Sequence, residues 1–425
     1  MNKGVAVPTL TASAAALPNL DTIIRGLLYV YIFSLPFKGL LFIERNGFII
    51  LVVLLVLWCV VNQRHFFTRT PIDLPLLAFV FWVAFTIPFA MFPSYSFKEF
   101  GKLLQQGLIY YVVVYFFNDG PHRIRLLSLL VGDLILVSAY GVTQFDIHDR
   151  EAMVSFLPAE VWLTSYLVMF IPLCFTLALC EERQWPKTLY VGVSVLAVVC
   201  LLMTQSRAGL VAFICELWVL AWLIRRRTIL VVASMFSLAL VVAAVFLVEA
   251  GTTAQGVPIV VPQTSIPIRT GLSSVIHRLD IWAFSLSQIA THPFVGIGYG
   301  KDSFKLVYGD VPEEVPPGHS PVRNQGTHNI FLYLALHVGL PGLMLFLWLV
   351  ARIVRTELAA FRRVTDPVSQ AVLLGTGVSV IGMGVRLMFD QMFVGTLAIQ
   401  FWILVAMAMV ACRAVDGITQ KPALR

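Results

Sequence analysis

Apolar segments of about 20 residues recur along almost the whole sequence, and this pattern limits the fold more than any other feature. A segment of that length crosses the hydrocarbon core of a bilayer as an α-helix. Helices satisfy their own backbone hydrogen bonds in lipid, whereas irregular chain does not. Composition agrees, because 59% of the residues are hydrophobic and 12% are charged, against about 25% charged in soluble domains. The sequence therefore predicts an all-α, polytopic membrane protein with about twelve transmembrane helices.

The pattern divides the chain into five parts. We predict a cytoplasmic tail over 1–21, nine helices over 22–249, a long loop over 250–328, three helices over 329–412 and a second cytoplasmic tail over 413–425. The predicted spans are 22–43, 47–62, 74–92, 101–118, 124–144, 160–180, 188–205, 208–224, 228–249, 329–350, 370–389 and 393–412. Prolines at 36, 88 and 172 fall inside spans and are expected to kink them.

The basic residues indicate the orientation, since short cytoplasmic loops hold an excess of Lys and Arg. With the N-terminus in the cytoplasm, the cytoplasmic loops and both tails hold 17 of the 30 basic residues. The net charge of +7 is spread through short loops, which argues against a nucleic-acid surface. The N-terminal tail has no continuous apolar core, so we expect no cleaved signal peptide. The six cysteines all lie in apolar stretches and are interpreted as small buried hydrophobes.

The long loop falls on the outer side of the membrane in this orientation, and loops of its length are usually functional or disordered. Ser273 and Ser274 are predicted to cap a helix that runs from 275 to about 290. A His-Pro pair at 292–293 should end that helix. The glycines of GIGYG, at 296–300, then predict a tight turn.

Three arginines are predicted to lie near the outer surface of the membrane. Arg207 occupies the short turn before the eighth span, and a snorkelling side chain is its structural interpretation. Arg278 lies one helical turn before Trp282 on the predicted loop helix. It is interpreted either as a residue that binds a lipid headgroup or as part of a solvated helix face. Arg386 lies late in the eleventh span and either pairs with Asp390 or marks a functional site. The functional interpretation of all three is an anion site, since guanidinium groups bind phosphate through two parallel hydrogen bonds.

A histidine stands where the outer loop re-enters the membrane. His328 and Asn329 begin the tenth span. A histidine that titrates near neutral pH can act as a general base, and Asn329 would orient it or bind a sugar hydroxyl. The alternative is a structural residue at the interface. His337, nine residues further along, is interpreted as structural.

Taken together, these residues suit a lipid-linked diphosphate donor. Arginines can neutralise a diphosphate leaving group as its charge develops, and a histidine can take the proton of an acceptor hydroxyl. The outer loops contain no Asp-x-Asp motif, so the arginines would replace a metal ion and no cofactor is expected.

Three stretches of the sequence resemble one known group of proteins. They are TQSRAGL at 204–210, HRLDIWAFSLSQIATHPFVGIGYGKDSF at 277–304 and THNIFLYLALHVGLPGL at 327–343. Their Ser-Arg-Ala-Gly turn, Arg before Trp, His-Pro, Gly-x-Gly, His-Asn and Gly-Leu-x-Gly occur in an order that resembles the O-antigen ligase and O-antigen polymerase superfamily. The chain departs from that pattern at His337, where the family often has an acidic residue.

The resemblance implies a metal-independent, inverting glycosyltransferase of the bacterial inner membrane with its site facing the periplasm. It would act in lipopolysaccharide biosynthesis and transfer O-antigen from undecaprenyl diphosphate to the lipid A–core oligosaccharide. By position, His328 would be the base, and Arg207 and Arg278 would bind diphosphate. The assignment of Arg386 to the same anion rests on its membrane depth. Supporting residues would be Ser206, Trp282 and Asn329.

Other functions remain open on the sequence. An O-antigen polymerase or a protein O-oligosaccharyltransferase would use the same donor chemistry with a different acceptor. A lipid-linked oligosaccharide flippase is an alternative of another class. Transporters often show internal repeats and a charged path near the midplane. The absence of a visible repeat and the clustering of polar residues at one face favour an enzyme.

Overall fold

A computed structural model of the protein describes residues 18–146, 153–239, 271–311, 321–391 and 394–415. Within these ranges the regular structure is entirely helical. The helices are α1 Pro18–Ser34, α2 Leu41–Asn62, α3 Asp73–Thr86, α4 Pro93–Phe116, α5 Gly120–Thr143, α6 Glu160–Cys180, α7 Gln184–Met203, α8 Arg207–Ile224, α9 Arg227–Ala239, α10 Gly271–Thr291, α11 Ser303–Tyr308, α12 Ile330–Phe361, α13 Pro367–Arg386 and α14 Gly395–Val415.

Eight helical segments of the described chain are long and apolar enough to cross a bilayer, so the protein is a multi-pass membrane protein. They contain α2, α5, α6, α7, α8, α12, α13 and α14. Two more apolar helices, α3 and α9, are shorter. The prediction of twelve spans therefore stays a prediction. The stretches 250–270 and 312–320 of the predicted loop lie outside the described residues.

The predicted break between the first two spans is wrong. The first helix ends at Ser34, and a short 3-10 turn leads directly into α2 at Leu41. Pro36 ends the helix instead of kinking it, because the residue before a proline disfavours helical geometry. Arg45, predicted in a loop, lies inside α2. Pro88 similarly falls in a 3-10 turn after α3, whereas Pro172 lies within α6 as predicted.

The helix that follows His328 is longer than predicted and is interrupted. It contains 32 residues and ends at Phe361, eleven residues beyond the predicted end at 350. A straight helix of that length would extend about 48 Å, more than the ~30 Å hydrocarbon core. The interruption is at Gly339, whose φ of 75° and ψ of 172° are not helical. Only glycine adopts such angles without strain, so this residue permits the break.

The predicted loop helix is present, but it begins at Gly271, so Ser273 and Ser274 lie inside it and were wrongly predicted as caps. It ends at Thr291, in agreement with the His-Pro signal. The glycine turn that follows has positive φ angles at Gly296, Gly298 and Gly300. The backbone of this turn donates hydrogen bonds to carbonyls that the break in α12 leaves free. The N–H of Ile297 donates to the Leu336 carbonyl at 2.9 Å, and the N–H of Gly298 donates to the His337 carbonyl at 3.0 Å.

Helix α13 packs against four other helices, α6, α8, α12 and α14. Small residues allow a close approach to α6, since a Cβ on Gly375 would lie 2.7 Å from the Cα of Leu173. The Ser379 hydroxyl donates to the Met169 carbonyl at 2.7 Å across the same contact. This packing places the beginning of α6 beside the end of α13, where the candidate site lies.

Candidate functional site

One end of the bundle joins the start of α12 to the end of α13; we call it the His328 end. The N–H of Ile330 donates to the carbonyl of Leu387 at 2.9 Å. The hydroxyl of Thr327 donates to Oε1 of Gln391 at 2.7 Å. These two hydrogen bonds hold the chain on both sides of His328 against the segment that follows α13.

His328 itself has a left-handed backbone, with a φ of 47°. For a residue other than glycine this conformation costs about 1–3 kcal/mol and persists only where its surroundings impose it. Asn329 helps to impose it as the N-cap of α12, because its Oδ1 accepts the N–H groups of Phe331 and Leu332 at 2.9 and 3.2 Å. The structure thus gives Asn329 a structural role as a cap. Its two predicted roles, orienting His328 or binding a sugar hydroxyl, remain predictions.

The surroundings of the His328 imidazole lower its basicity. Burial lowers the pKa of His328 below its ordinary value. The Asp390 carboxylate opposes that effect and raises the pKa. Arg278 and His277 act in the same direction as burial and lower the pKa of His328 further. The net effect keeps the ring neutral at pH values below its usual titration, which is the form that accepts a proton.

Arg386 is the most deeply buried cation of this end, with 3% of its surface exposed. Its Nη2 donates to Asp390 at 3.3 Å and to the Val161 carbonyl at 3.5 Å. The predicted pairing with Asp390 is therefore present. Its Nε is buried without a hydrogen-bond partner among the described residues. One donor of the guanidinium group is consequently unused by the protein.

Arg278 lies close enough to act electrostatically on both His328 and Arg386. The structure therefore brings these three residues together although they come from three separate elements. The indole N–H of Trp282 on α10 is buried and lacks a hydrogen-bond partner within the described chain, and so does the ring nitrogen Nδ1 of His277. Unpaired buried donors cost free energy unless a ligand or water satisfies them.

Arg207 begins α8 and is exposed. Within the described ranges, no hydrogen bond or ion pair engages its side chain, so its place in a shared anion site remains a prediction. The turn that carries it is nevertheless close to α6, because a Cβ on Gly209 would lie 2.3 Å from Thr164. Ser206 is the N-cap of α8, but its side chain makes no capping bond.

The beginning of α6 links the Arg207 turn to Arg386. The hydroxyl of Thr164 donates to Glu160 at 2.9 Å, and the charge of Glu160 acts on Arg386. Glu160 and Gln391 were not identified from the sequence. The acidic residue that opens the sixth span was the only signal for Glu160. Nothing in the sequence relates Gln391 to Thr327, since 64 residues separate them.

His337 lies inside the bundle and makes protein contacts instead of facing this end. It is fully buried, its Nδ1 lies 2.7 Å from the Tyr333 carbonyl, and its ring stacks on Tyr333 with centroids 4.0 Å apart. These contacts agree with its structural interpretation. Across the described ranges there is no group of three His, Cys, Asp or Glu residues that could hold a metal ion.

The arrangement can bind an anion and remove a proton. Two cations, Arg278 and Arg386, lie near a histidine whose pKa is lowered, and Arg386 keeps one donor without a partner among the described residues. Charge-assisted hydrogen bonds to phosphate are strong in a partly dehydrated site. A histidine beside that anion is placed to accept the proton of an attacking hydroxyl.

Comparison with known proteins gives one family match. The family model described as O-antigen ligase matches residues 192–347. The match confirms the resemblance to the O-antigen ligase superfamily, and it includes Arg207, Arg278 and His328 but not Arg386. No curated protein matches the chain.

Proposed function

We propose that the protein is an O-antigen ligase, a metal-independent and inverting glycosyltransferase. It transfers O-antigen polysaccharide from undecaprenyl diphosphate to the lipid A–core oligosaccharide. The observation that carries the proposal is the juxtaposition of His328 with Arg278 and Arg386, in a chain whose residues 192–347 match the O-antigen ligase family. A base beside an anion site is the minimum that transfer from a diphosphate donor requires.

The reaction is a single displacement. The acceptor hydroxyl attacks the anomeric carbon of the donor sugar, and the bond between that carbon and the diphosphate oxygen breaks. The electron pair of the broken bond leaves with undecaprenyl diphosphate. The hydroxyl proton passes to the imidazole of His328. Attack opposite the leaving group inverts the anomeric configuration.

The arginines stabilise the leaving group. Its negative charge increases in the transition state, so donors aimed at the diphosphate lower the barrier. Arg386 supplies its unused Nε, and Trp282 supplies its indole N–H. Arg278 supplies a charge beside the base. Arg207 adds its charge where α8 begins, and helix N-termini favour anions.

The proposal includes a location. The protein resides in the bacterial inner membrane with the His328 end at the periplasm and both termini in the cytoplasm. The distribution of 17 of 30 basic residues on the opposite side supports this orientation. Lipid-linked glycan and lipid A–core both have their sugars at the periplasmic surface, where the base would meet them.

The test is transfer by purified protein in nanodiscs. The donor is undecaprenyl-diphosphate glycan, and the competing acceptors are lipid A–core, a second donor molecule and a Ser/Thr-containing acceptor protein. We expect product on lipid A–core alone, with an inverted linkage and with activity retained in EDTA. Product on the second donor would identify a polymerase, and product on protein would identify a protein O-oligosaccharyltransferase. Donor movement across the bilayer without any transfer would identify a flippase.

A further inference from the structure

The helix α10 has two different faces. One of them packs against α12 and includes Ile281, Ser285 and Ile289, all of which are buried. Arg278 lies on this same side, since it is three residues from Ile281 and seven from Ser285. Arg278, one of the cations of the candidate site, therefore lies on the face of α10 that packs against the protein.

The other face of α10 is apolar and exposed. Leu279 and Leu286 expose 54% and 56% of their surface, and Phe294, just beyond the helix, exposes 72%. Exposed Ala283 and Ala290 occupy the intermediate turns. The spacing of four and three residues puts 279, 283, 286 and 290 in one line. At about 100° per residue, this line lies roughly 120° around the helix from the buried one. We call Leu279, Ala283, Leu286, Ala290 and Phe294 the apolar stripe.

The apolar stripe continues onto a surface that faces lipid. The carbonyl of Pro293 accepts a hydrogen bond from Leu340 N–H at 2.8 Å. A Cβ on Gly339 would lie 1.9 Å from the Phe294 carbonyl oxygen, so these backbones touch. Leu340 and Met344 are themselves exposed on α12, a helix that is apolar enough to span the membrane. Phe294 therefore adjoins the lipid-facing side of a transmembrane helix.

A face in water would carry polar residues at these positions. Exposed leucine and phenylalanine side chains that line up along a helix mark a surface with an apolar partner. An amphipathic helix of this kind lies in the plane of a membrane and buries its apolar side about 5–10 Å deep. The adjoining surface of α12 makes lipid the partner that the geometry favours.

We propose that α10 lies in the membrane interface at the His328 end, with the apolar stripe inserted into the hydrocarbon of that leaflet. Arg278, on the packed face, is thereby held at the level of the lipid headgroups. This inference deepens the proposed function. It rests on the proposed function where it assigns a role to Arg278. A lipid-linked diphosphate has its charge at that same depth, so the donor would meet Arg278 without leaving the bilayer.

The test is nitroxide accessibility in nanodiscs, in a background with all six native cysteines replaced. Labels are placed by Leu279→Cys and Leu286→Cys on the apolar stripe. Met344→Cys is the lipid-facing control, and Lys305→Cys, at an exposed position of α11, is the aqueous control. We expect labels at 279 and 286 to collide with oxygen more than with a water-soluble nickel chelate, as at 344. The label at 305 should show the reverse.

Two results would overturn the proposal. Labels at 279 and 286 that behave like the label at 305 would place the stripe in water. Labels protected from both oxygen and nickel would mean that protein, either another part of this chain or a second copy, covers it. The measurement needs no substrate, so failure of the glycan-transfer assay would leave its outcome unaffected. If the labels at 279 and 286 are accessible from lipid but no glycan is transferred to any acceptor, the proposed function is rejected and the interfacial position of α10 is retained.

Discussion

The guanidinium of Arg386 lies 3.3 Å from the carboxylate of Asp390, and both residues are almost completely buried. Asp390 also acts on His328, so one carboxylate serves a buried cation and the candidate base. This shared partner couples the end of α13 to the start of α12 electrostatically, in addition to the hydrogen bond from Ile330 to Leu387.

Removing one member of the Arg386–Asp390 ion pair should destabilise the protein more than replacing both members. Asp390→Ala leaves the Arg386 charge buried without its partner, which costs about 3–5 kcal/mol. Replacing both residues, Arg386→Leu with Asp390→Ala, should cost less than Asp390→Ala alone. Thermal unfolding in a single detergent measures both variants. A double variant that is less stable than Asp390→Ala would show that the two residues do not act as a pair.

The pH dependence of transfer should follow the charges around His328. A base must be neutral, and burial lowers the pKa of His328, so activity should fall on the acid side only below the ordinary titration range of histidine. Asp390 raises that pKa, so Asp390→Asn should move the acid limb of kcat/KM to lower pH. His277 lowers the pKa, so His277→Gln should move the limb to higher pH. Identical acid limbs in the parent and both variants would mean that His328 does not set the profile.

Donor binding should depend on the shape of the three arginine side chains as well as on their charge. At Arg207, Arg278 and Arg386, replacement by Lys keeps the charge and loses the planar fork, so we expect weaker donor binding. Replacement by Ala should be worse, since each lost charge-assisted hydrogen bond is worth about 1.5–3 kcal/mol. Donor affinity and transfer rate are measured for all six variants after a check of folding.

A control for the arginine series is Arg355→Lys, on an exposed part of α12 far along the helix from its start. It should match the parent protein in both quantities. If the three Lys variants at the candidate site also match the parent, the arginines do not grip a shared diphosphate and serve as interface anchors.

The break in α12 should depend on Gly339. A Cβ there would lie 1.9 Å from the Phe294 carbonyl oxygen, at a φ of 75°, so Gly339→Ala should destabilise the protein by more than about 1 kcal/mol. It should also expose the 293–298 turn to proteases, because that turn is bonded to the break. Gly384→Ala is the matched control, since a Cβ at Gly384 meets nothing within 4 Å. Equal protease sensitivity in the two variants would argue against this anchoring.

Much of the helical framework is visible in the sequence, because a span needs only length and apolar composition. The predicted span 160–180 coincides with α6, and 208–224 differs from α8 by one residue. The boundary near Arg45 was misplaced because a charged residue was interpreted as a loop, whereas α2 continues through it. The end of α12 was misplaced because its last turns are polar enough to resemble a loop.

The site was only partly predictable. The pairing of Arg386 with Asp390 follows from a spacing of four residues, which is local. The proximity of Arg278 to His328 and Arg386 depends on how α10 packs on α12, and this is a tertiary contact that no local pattern encodes. The capping role of Asn329 was accessible, since Asn is a preferred N-cap, but the residue was interpreted as orienting His328 or binding a sugar hydroxyl instead.

The central claim is that His328 removes the acceptor proton. Replacing it with Ala should lower the transfer rate by about 10²–10⁴ while folding and donor affinity are retained. His328→Asn is the companion variant, because Asn tolerates the left-handed backbone at this position better than Ala does. His65→Ala, exposed outside the His328 end, is the control and should be fully active.

The decisive measurement is the single-turnover transfer rate of His328→Asn at saturating donor and acceptor, beside donor affinity and melting temperature for the same preparation. We predict a rate reduced at least about 10²-fold with the other two quantities close to the parent. A well-folded His328→Asn protein that binds donor and transfers glycan at nearly the parent rate would contradict the account, and His328 would then be a structural residue of the membrane interface.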